Sequence, residues 1–198
     1  MKRFLLALAL VCALPLSAAH ANNAEERQSI QDMAHGVLMR LYKANPRAQQ
    51  DIAQAAGFAV FSSADVAAIF VSGGYGHGIG HDNRNGADTY MQMAQAGVGL
   101  GLGAKTFRAV FVFDDPKAYY DFTHTGLDLS GHVDASAKQG VKGGSYTGAA
   151  DVLPGVHVYQ LTDTGLLAQA MLKGTKYWVD SDLTNGGPVA QNRNHYND

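Results

Sequence analysis

Two glycine-rich stretches decide the fold: VAAIFVSGGYGHGIG at residues 66–80 and GVGLGLGAKTFRAVFVF at residues 97–113. In the first, Gly74, Gly76, Gly78 and Gly80 alternate with Tyr75, His77, Ile79 and His81. In the second, Gly97, Gly99, Gly101 and Gly103 alternate with Val98, Leu100, Leu102 and Ala104. A period of two belongs to extended chain and sets each glycine series on one face of a strand. A face without side chains weakens a strand, so something must come close to the backbone there: another layer, a sharp coil of the sheet, or a ligand. Gly74, Gly76, Gly78, Gly97, Gly99 and Gly101 are the expected points of approach.

Outward from these stretches, the texture after Gly57 is that of a β protein, rich in alternating, β-branched and aromatic residues. HDNRNGAD at 81–88 holds Asn85-Gly86, a hairpin signal because both turn positions tolerate positive φ. Asp115-Pro116 caps a short helix running through Ala118, Tyr119 and Phe122 and closed near Gly126. VHVYQL at 156–161 turns at Asp163–Gly165 into LLAQAMLKG and TKYWV, both read as strands. Upstream the period changes. Ile30, Met33, Ala34, Val37, Leu38 and Leu41 mark one face of a helix over about 24–43, with Asn23 and Glu26 spaced as a capping box. Asn45 before Pro46 opens a second helix, which Gly57 ends. Residues 181–198, polar and rich in Asn and Gly, read as a loose tail.

The chain has 198 residues, 46% hydrophobic and 16% charged, the composition of one globular domain. Its start, MKRFLLALALVCALPLSAAHA, combines Lys2 and Arg3, an apolar run and small residues at Ala19 and Ala21, the pattern of a secretory signal peptide ending near Ala21. The expected product, residues 22–180 plus the tail, is exported to the periplasm or beyond and soluble. Loss of residues 1–21 removes Lys2, Arg3 and Cys12, the sole cysteine. The formal charge then moves from −2 to −4, which argues against a nucleic-acid partner, and no thiol is left for disulfides or thiolate chemistry.

Several apparent motifs dissolve on inspection. GLGLGAKT at 99–106 resembles a phosphate-binding loop, but Ala104 stands where a glycine is required and the continuation, TFRAVFVF, alternates as a strand instead of opening a helix. Its likeness to a dinucleotide fingerprint fails for the same reason. No nucleotide or cofactor is expected. His77 and His81, four apart on a strand, would lie about 13 Å from each other, too far to share an ion, so no metal site is expected. No Gly-x-Ser-x-Gly elbow exists, and no acid, base and nucleophile converge in the sequence, so no catalytic residues are assigned. The polar side of the first helix carries Gln31, Asp32, His35, Arg40 and Lys43. This mixture favours docking of its apolar stripe onto the sheet over contact with anionic lipid.

Taken in order, Ala55-Ala56-Gly57-Phe58, SGGYGHG, the Gly86 turn, GVGLGLGAKTF, DDPKAYYDF and VYQLTDTGLLAQAMLKGTKY resemble the SYLF domain of bacterial exported proteins and eukaryotic membrane and actin regulators. The resemblance is strongest over residues 46–178. It implies a compact α+β fold with a strongly curved, barrel-like antiparallel sheet, to which the residue patterns above add two N-terminal helices and one short additional helix. It also implies lipid binding, to phosphoinositides in eukaryotic members, with actin binding confined to the fungal branch. This chain departs from that pattern in its acidity, its exported location and the lack of an attached module. The resulting expectation is a non-enzymatic, periplasmic protein whose partner is phospholipid or another envelope amphiphile. The competing reading is an envelope scaffold for a protein partner. Candidate lipid or membrane contacts are Ile30, Met33, Val37 and Leu41, with Arg40, Lys43, Arg47, Lys105 and Arg108 as headgroup partners, although these basic residues are scattered and ordinary solvated surface is the favoured reading of them.

Overall fold

A computed structural model describes residues 15–68, 71–97, 103–129, 149–162, 165–166 and 174–185. The elements are α1 (Pro15–Ala44), α2 (Arg47–Gln54), β1 (Gly57–Ala68), β2 (Val71–Asp82), β3 (Ala87–Gly97), β4 (Gly103–Phe113), α3 (Pro116–Thr125), β5 (Leu127–Asp128), β6 (Ala149–Leu153), β7 (Val156–Thr162), β8 (Gly165–Leu166), β9 (Thr175–Val179) and α4 (Ser181–Asn185). The strands form one antiparallel sheet in the order β5-β9-β3-β2-β1-β4-β7-β6, with β8 paired to β7, curled into a half-barrel. The fold is α+β, as expected, with a fourth helix that the sequence reading lacked.

Local signals placed several boundaries correctly. The Asp115 carboxylate accepts the Lys117 amide at 3.1 Å, Pro116 fills the first turn of α3, and Gly126 ends it at φ +82°. Asn45 accepts the Arg47 amide at 3.2 Å as α2 opens. The β2–β3 hairpin forms, but through a four-residue loop, Asn83–Gly86, with Gly86 at φ +71°, not through a two-residue turn. The Asp82 carboxylate explains the longer loop by accepting both the Arg84 amide and its guanidinium.

Other expectations need correction. α1 runs unbroken from Pro15 through Asn23, so the capping box at Asn23 does not start a helix. The second glycine series is not one strand face: Gly97 ends β3, Gly103 begins β4, and these strands lie apart in the sheet, with β2 and β1 between them. Gly99 and Gly101, the greater part of LLAQAMLKG, and most of the leader lie outside the described residues. The expected loose tail is corrected over its first five residues, while residues 186–198 lie outside the described residues. Ser181–Asn185 are helical, Leu183 is buried, and its carbonyl accepts from Arg27 Nε on α1 at 2.8 Å.

The sheet is buried on both faces, which is why its strands read as nearly continuous apolar sequence. On one face Phe58, Val60, Ile79, Tyr90, Val110, Val112, Tyr159 and Leu161 pack beneath α1 and α2. On the other, Ala59, Phe61, Met91, Met93, Phe111, Phe113, Val158 and Tyr177 pack with Tyr119 and Phe122 of α3. Glycines of β2 stand on this second face. A Cβ on Gly78 would sit 2.2 Å from the Phe61 ring, and one on Gly76 would sit 2.2 Å from the Ser62 carbonyl oxygen. Phe61 and Ser63 are their partners in β1. The close approach therefore comes from the neighbouring strand, through the coil of the sheet. A second layer comes near at Gly80, where Thr123 and Tyr119 of α3 would lie 3.0 and 3.2 Å from an added Cβ, and at Gly57 of β1, where the Tyr119 ring would lie 2.6 Å away.

Candidate functional site

α1 and α2 leave two opposite corners of their face open. The first lies at the β7 side, where a groove of about 260 Å³ is lined by Asp51, Gln54, Val112, Asp114, His157 and Tyr159. Strand alternation brings His157 and Tyr159 to this face, and α2 supplies Asp51 and Gln54 one turn apart. The Tyr159 hydroxyl donates to Asp51 Oδ2 at 2.9 Å. His157 lies 2.8 Å through Nε2 from Asp114 Oδ2 and 2.5 Å through Nδ1 from Asp151 Oδ1. Partial burial pulls its pKa down, but hydrogen bonds to Asp114 and then Asp151 outweigh this and raise it above the ordinary imidazole value. Only an imidazolium donates through both nitrogens. In that state the ring has no lone pair to act as a base, and the described lining offers no Ser, Thr or Cys as a nucleophile. With both nitrogens engaged, the ring holds Asp114 and Asp151 together at the groove.

The second corner lies at the opposite ends of β2 and β3, on the β9 side. Tyr75 is 49% exposed, His77 packs edge-on to it with ring centroids 5.3 Å apart, and Trp178 lies 6.3 Å away. The Trp178 indole N–H donates to Gln92 Oε1 at 3.0 Å, and Gln92 in turn donates to Asp180 Oδ2 at 2.6 Å. Asp180 Oδ1 accepts the amides of Asp182 and Leu183 at the start of α4. The polar handle of Trp178 is thus tied into the fold while Tyr75 stays half in solvent. The chain around this corner is unusual in charge: neither 66–81 nor 89–104 contains Asp, Glu, Lys or Arg. Pairing of Ala67 with Gly103 and of Ser72 with Gly97 brings both runs to the same end of the sheet.

The residues proposed from sequence as membrane contacts fare differently. Ile30, Val37 and Leu41 are buried and Met33 packs against the same cluster, so the apolar stripe of α1 is spent on the sheet and is corrected here from contact surface to core. Arg40, Lys43 and Arg47 are exposed near the α1–α2 junction, whereas Arg108 is half-buried within β4. Lys105 and Thr106 stand in β4, not at the opening of a helix. His77 and His81 share a strand but not a site, since His81 Nδ1 lies 2.7 Å from Asp88 Oδ1 and His77 joins the aromatic corner. Sequence reasoning missed Asp114, Asp151, His157 and Tyr75. The three groove residues are brought together only by strand pairing and carry no spacing signal. Tyr75 had one, since it lies in a charge-free run that the glycine alternation overshadowed.

Fold and sites together define an α+β domain built on a curled antiparallel sheet, with no described helix long and apolar enough to cross a membrane. No family model matches the chain. It is 33% identical over 160 residues to beta cell expansion factor A of Aeromonas veronii, a match covering 81% of this chain. The chain spans 59% of the length of that relative.

Proposed function

We propose that the chain is an exported, non-enzymatic domain of the SYLF type that binds phospholipid at a membrane surface through the aromatic corner of its sheet. The observation that carries this reading is the half-exposed Tyr75 beside Trp178, at the sheet end where the two stretches without charged residues, 66–81 and 89–104, come together. Tyr and Trp join an apolar body to a polar tip and favour the boundary between headgroups and hydrocarbon. A sheet filled with side chains on both faces supports surface contact over enclosure of a lipid. The leader-like pattern of residues 1–21 supports export.

The test is flotation of the secreted protein with vesicles of phosphatidylethanolamine and phosphatidylglycerol. Tyr75→Ala, alone and with Trp178→Ala, is expected to reduce the bound fraction several-fold, while Tyr120→Ala, which removes the exposed tyrosine of α3, leaves it unchanged. Equal flotation of all variants would sink the aromatic-corner reading. Absence of flotation by the wild type, with capture of a defined envelope protein, would favour the scaffold reading. A further proposal rests on the 160-residue likeness: that the chain shares the action on beta cells for which its relative is named. Counting beta cells after exposure to the purified chain tests it, and an unchanged count refutes it.

A further inference from the structure

The groove at the β7 corner gathers charge in a way that the lipid reading does not use. Asp151 and His157 are direct partners across the β6–β7 pair, at the point where the register slips between Asp151 and Leu153. Their side-chain bond therefore supports an edge strand where its backbone ladder is interrupted. Asp114, on the other side, lies in the β4–α3 corner, and its amide donates to the Gly155 carbonyl in the β6–β7 turn at 3.0 Å. His157 thus bridges two separate segments across the mouth of the groove. The charged groups facing it are Asp114 from the corner, Asp151 from β6 and, deeper, Asp51 of α2, which is held by Tyr159. Among the described lining residues none is Lys or Arg, so the imidazolium is the local counter-charge to three carboxylates.

We propose that His157 is a pH-operated clasp: with both nitrogens protonated it pins the β6 edge strand and the β4–α3 corner together, and on deprotonation it releases one of them and opens the groove between α2 and β7. The chemistry forces the release. A neutral imidazole keeps one N–H, and its other nitrogen then presents a lone pair to a carboxylate, so one hydrogen bond becomes a repulsion. The direction of the His157 shift agrees, since both carboxylates stabilise the protonated ring. A raised folded-state pKa makes the linked stability fully present below the ordinary imidazole value of about 6.5. That stability disappears as pH rises through the higher folded-state value. The clasp is closed in acid and opens toward alkaline conditions.

The experiment uses the full chain. NMR of the imidazole nitrogens should show His157 titrating above the ordinary value, with both nitrogens protonated below it. Asp151→Asn and Asp114→Asn should each lower that titration. Amide protection in β6, corrected for intrinsic exchange rates, should fall several-fold as pH rises through the His157 titration while protection in α1 holds. His157→Gln should abolish this pH dependence. Titration of His157 at or below the ordinary value in the wild type would overturn the proposal without any variant. So would β6 protection that ignores its titration.

Discussion

The two faces of the sheet are closed by different chemistry. Under α3, aromatic rings interlock: Phe61, Phe111, Phe113, Phe122 and Tyr177 have centroid separations of 4.7 to 6.3 Å, mostly edge-on or tilted. Such contacts have preferred geometries, and that side fits the bend of the sheet tightly enough to require glycine at positions 76 and 78. Under α1 and α2 the core is largely aliphatic, and polar pairs rim it: Gln31 with Tyr90, Asp51 with Tyr159, Gln92 with Asp180. The contrast teaches where binding can arise. One face uses its side chains to hold the curvature, and the other, covered by helices that stop short of two corners, has groups left over for solvent and ligands.

Substitutions can break that comparison, and the largest effect belongs to the aromatic face. Phe111→Ala should cost about 3–5 kcal/mol. Gly76→Val should exceed the roughly 1–3 kcal/mol usual for overpacking, because the obstruction is backbone and cannot rotate away. Urea unfolding midpoints measure both, and a Gly76→Val protein as stable as wild type would deny that the coil is tight. On the helical face, Leu41→Ala should cost about 2–5 kcal/mol in buffer without lipid. An unchanged thermal midpoint, with vesicle flotation lost, would return the α1 stripe to the membrane. Gly36, exposed on α1 with nothing within 4 Å of an added Cβ, supplies a gain. Gly36→Ala should raise stability by up to about 1 kcal/mol, and a loss would mean that α1 is not a regular docked helix there. Smallest is Tyr75→Ala, expected to move stability by less than about 0.5 kcal/mol while reducing vesicle binding. A large drop in melting temperature would mark Tyr75 as a packing residue and remove it from the proposed site.

Features that depend on neighbours in sequence were legible. Asp115, Pro116 and Gly126 bound α3 because a cap, a pre-set φ and a positive φ act within one turn of chain. The stripe from Ile30 to Leu41 announced a docked helix because a 3.6-residue period exposes one face for burial. The Gly74–Gly80 alternation foretold close approach, yet left open which of three things approaches. The start of the tail was misjudged because four polar residues, Ser181, Asp182, Thr184 and Asn185, surround Leu183, whose burial depends on α1 and on the Asp180 cap.

By itself the sequence determined that two helices precede the strands and that a capped helix follows β4, the burial of the α1 stripe and the need for bare backbone along β2, since periodicity and turn chemistry act over a few residues. Tertiary structure alone decided that β1 would lie between β2 and β4, that the Phe61 ring and the Ser62 carbonyl would occupy the space the glycines leave, and that Asp114, Asp151 and His157 would meet. Those outcomes depend on which strands pair and in what register. Pairing is settled by the simultaneous packing of both sheet faces, which no local stretch of chain encodes.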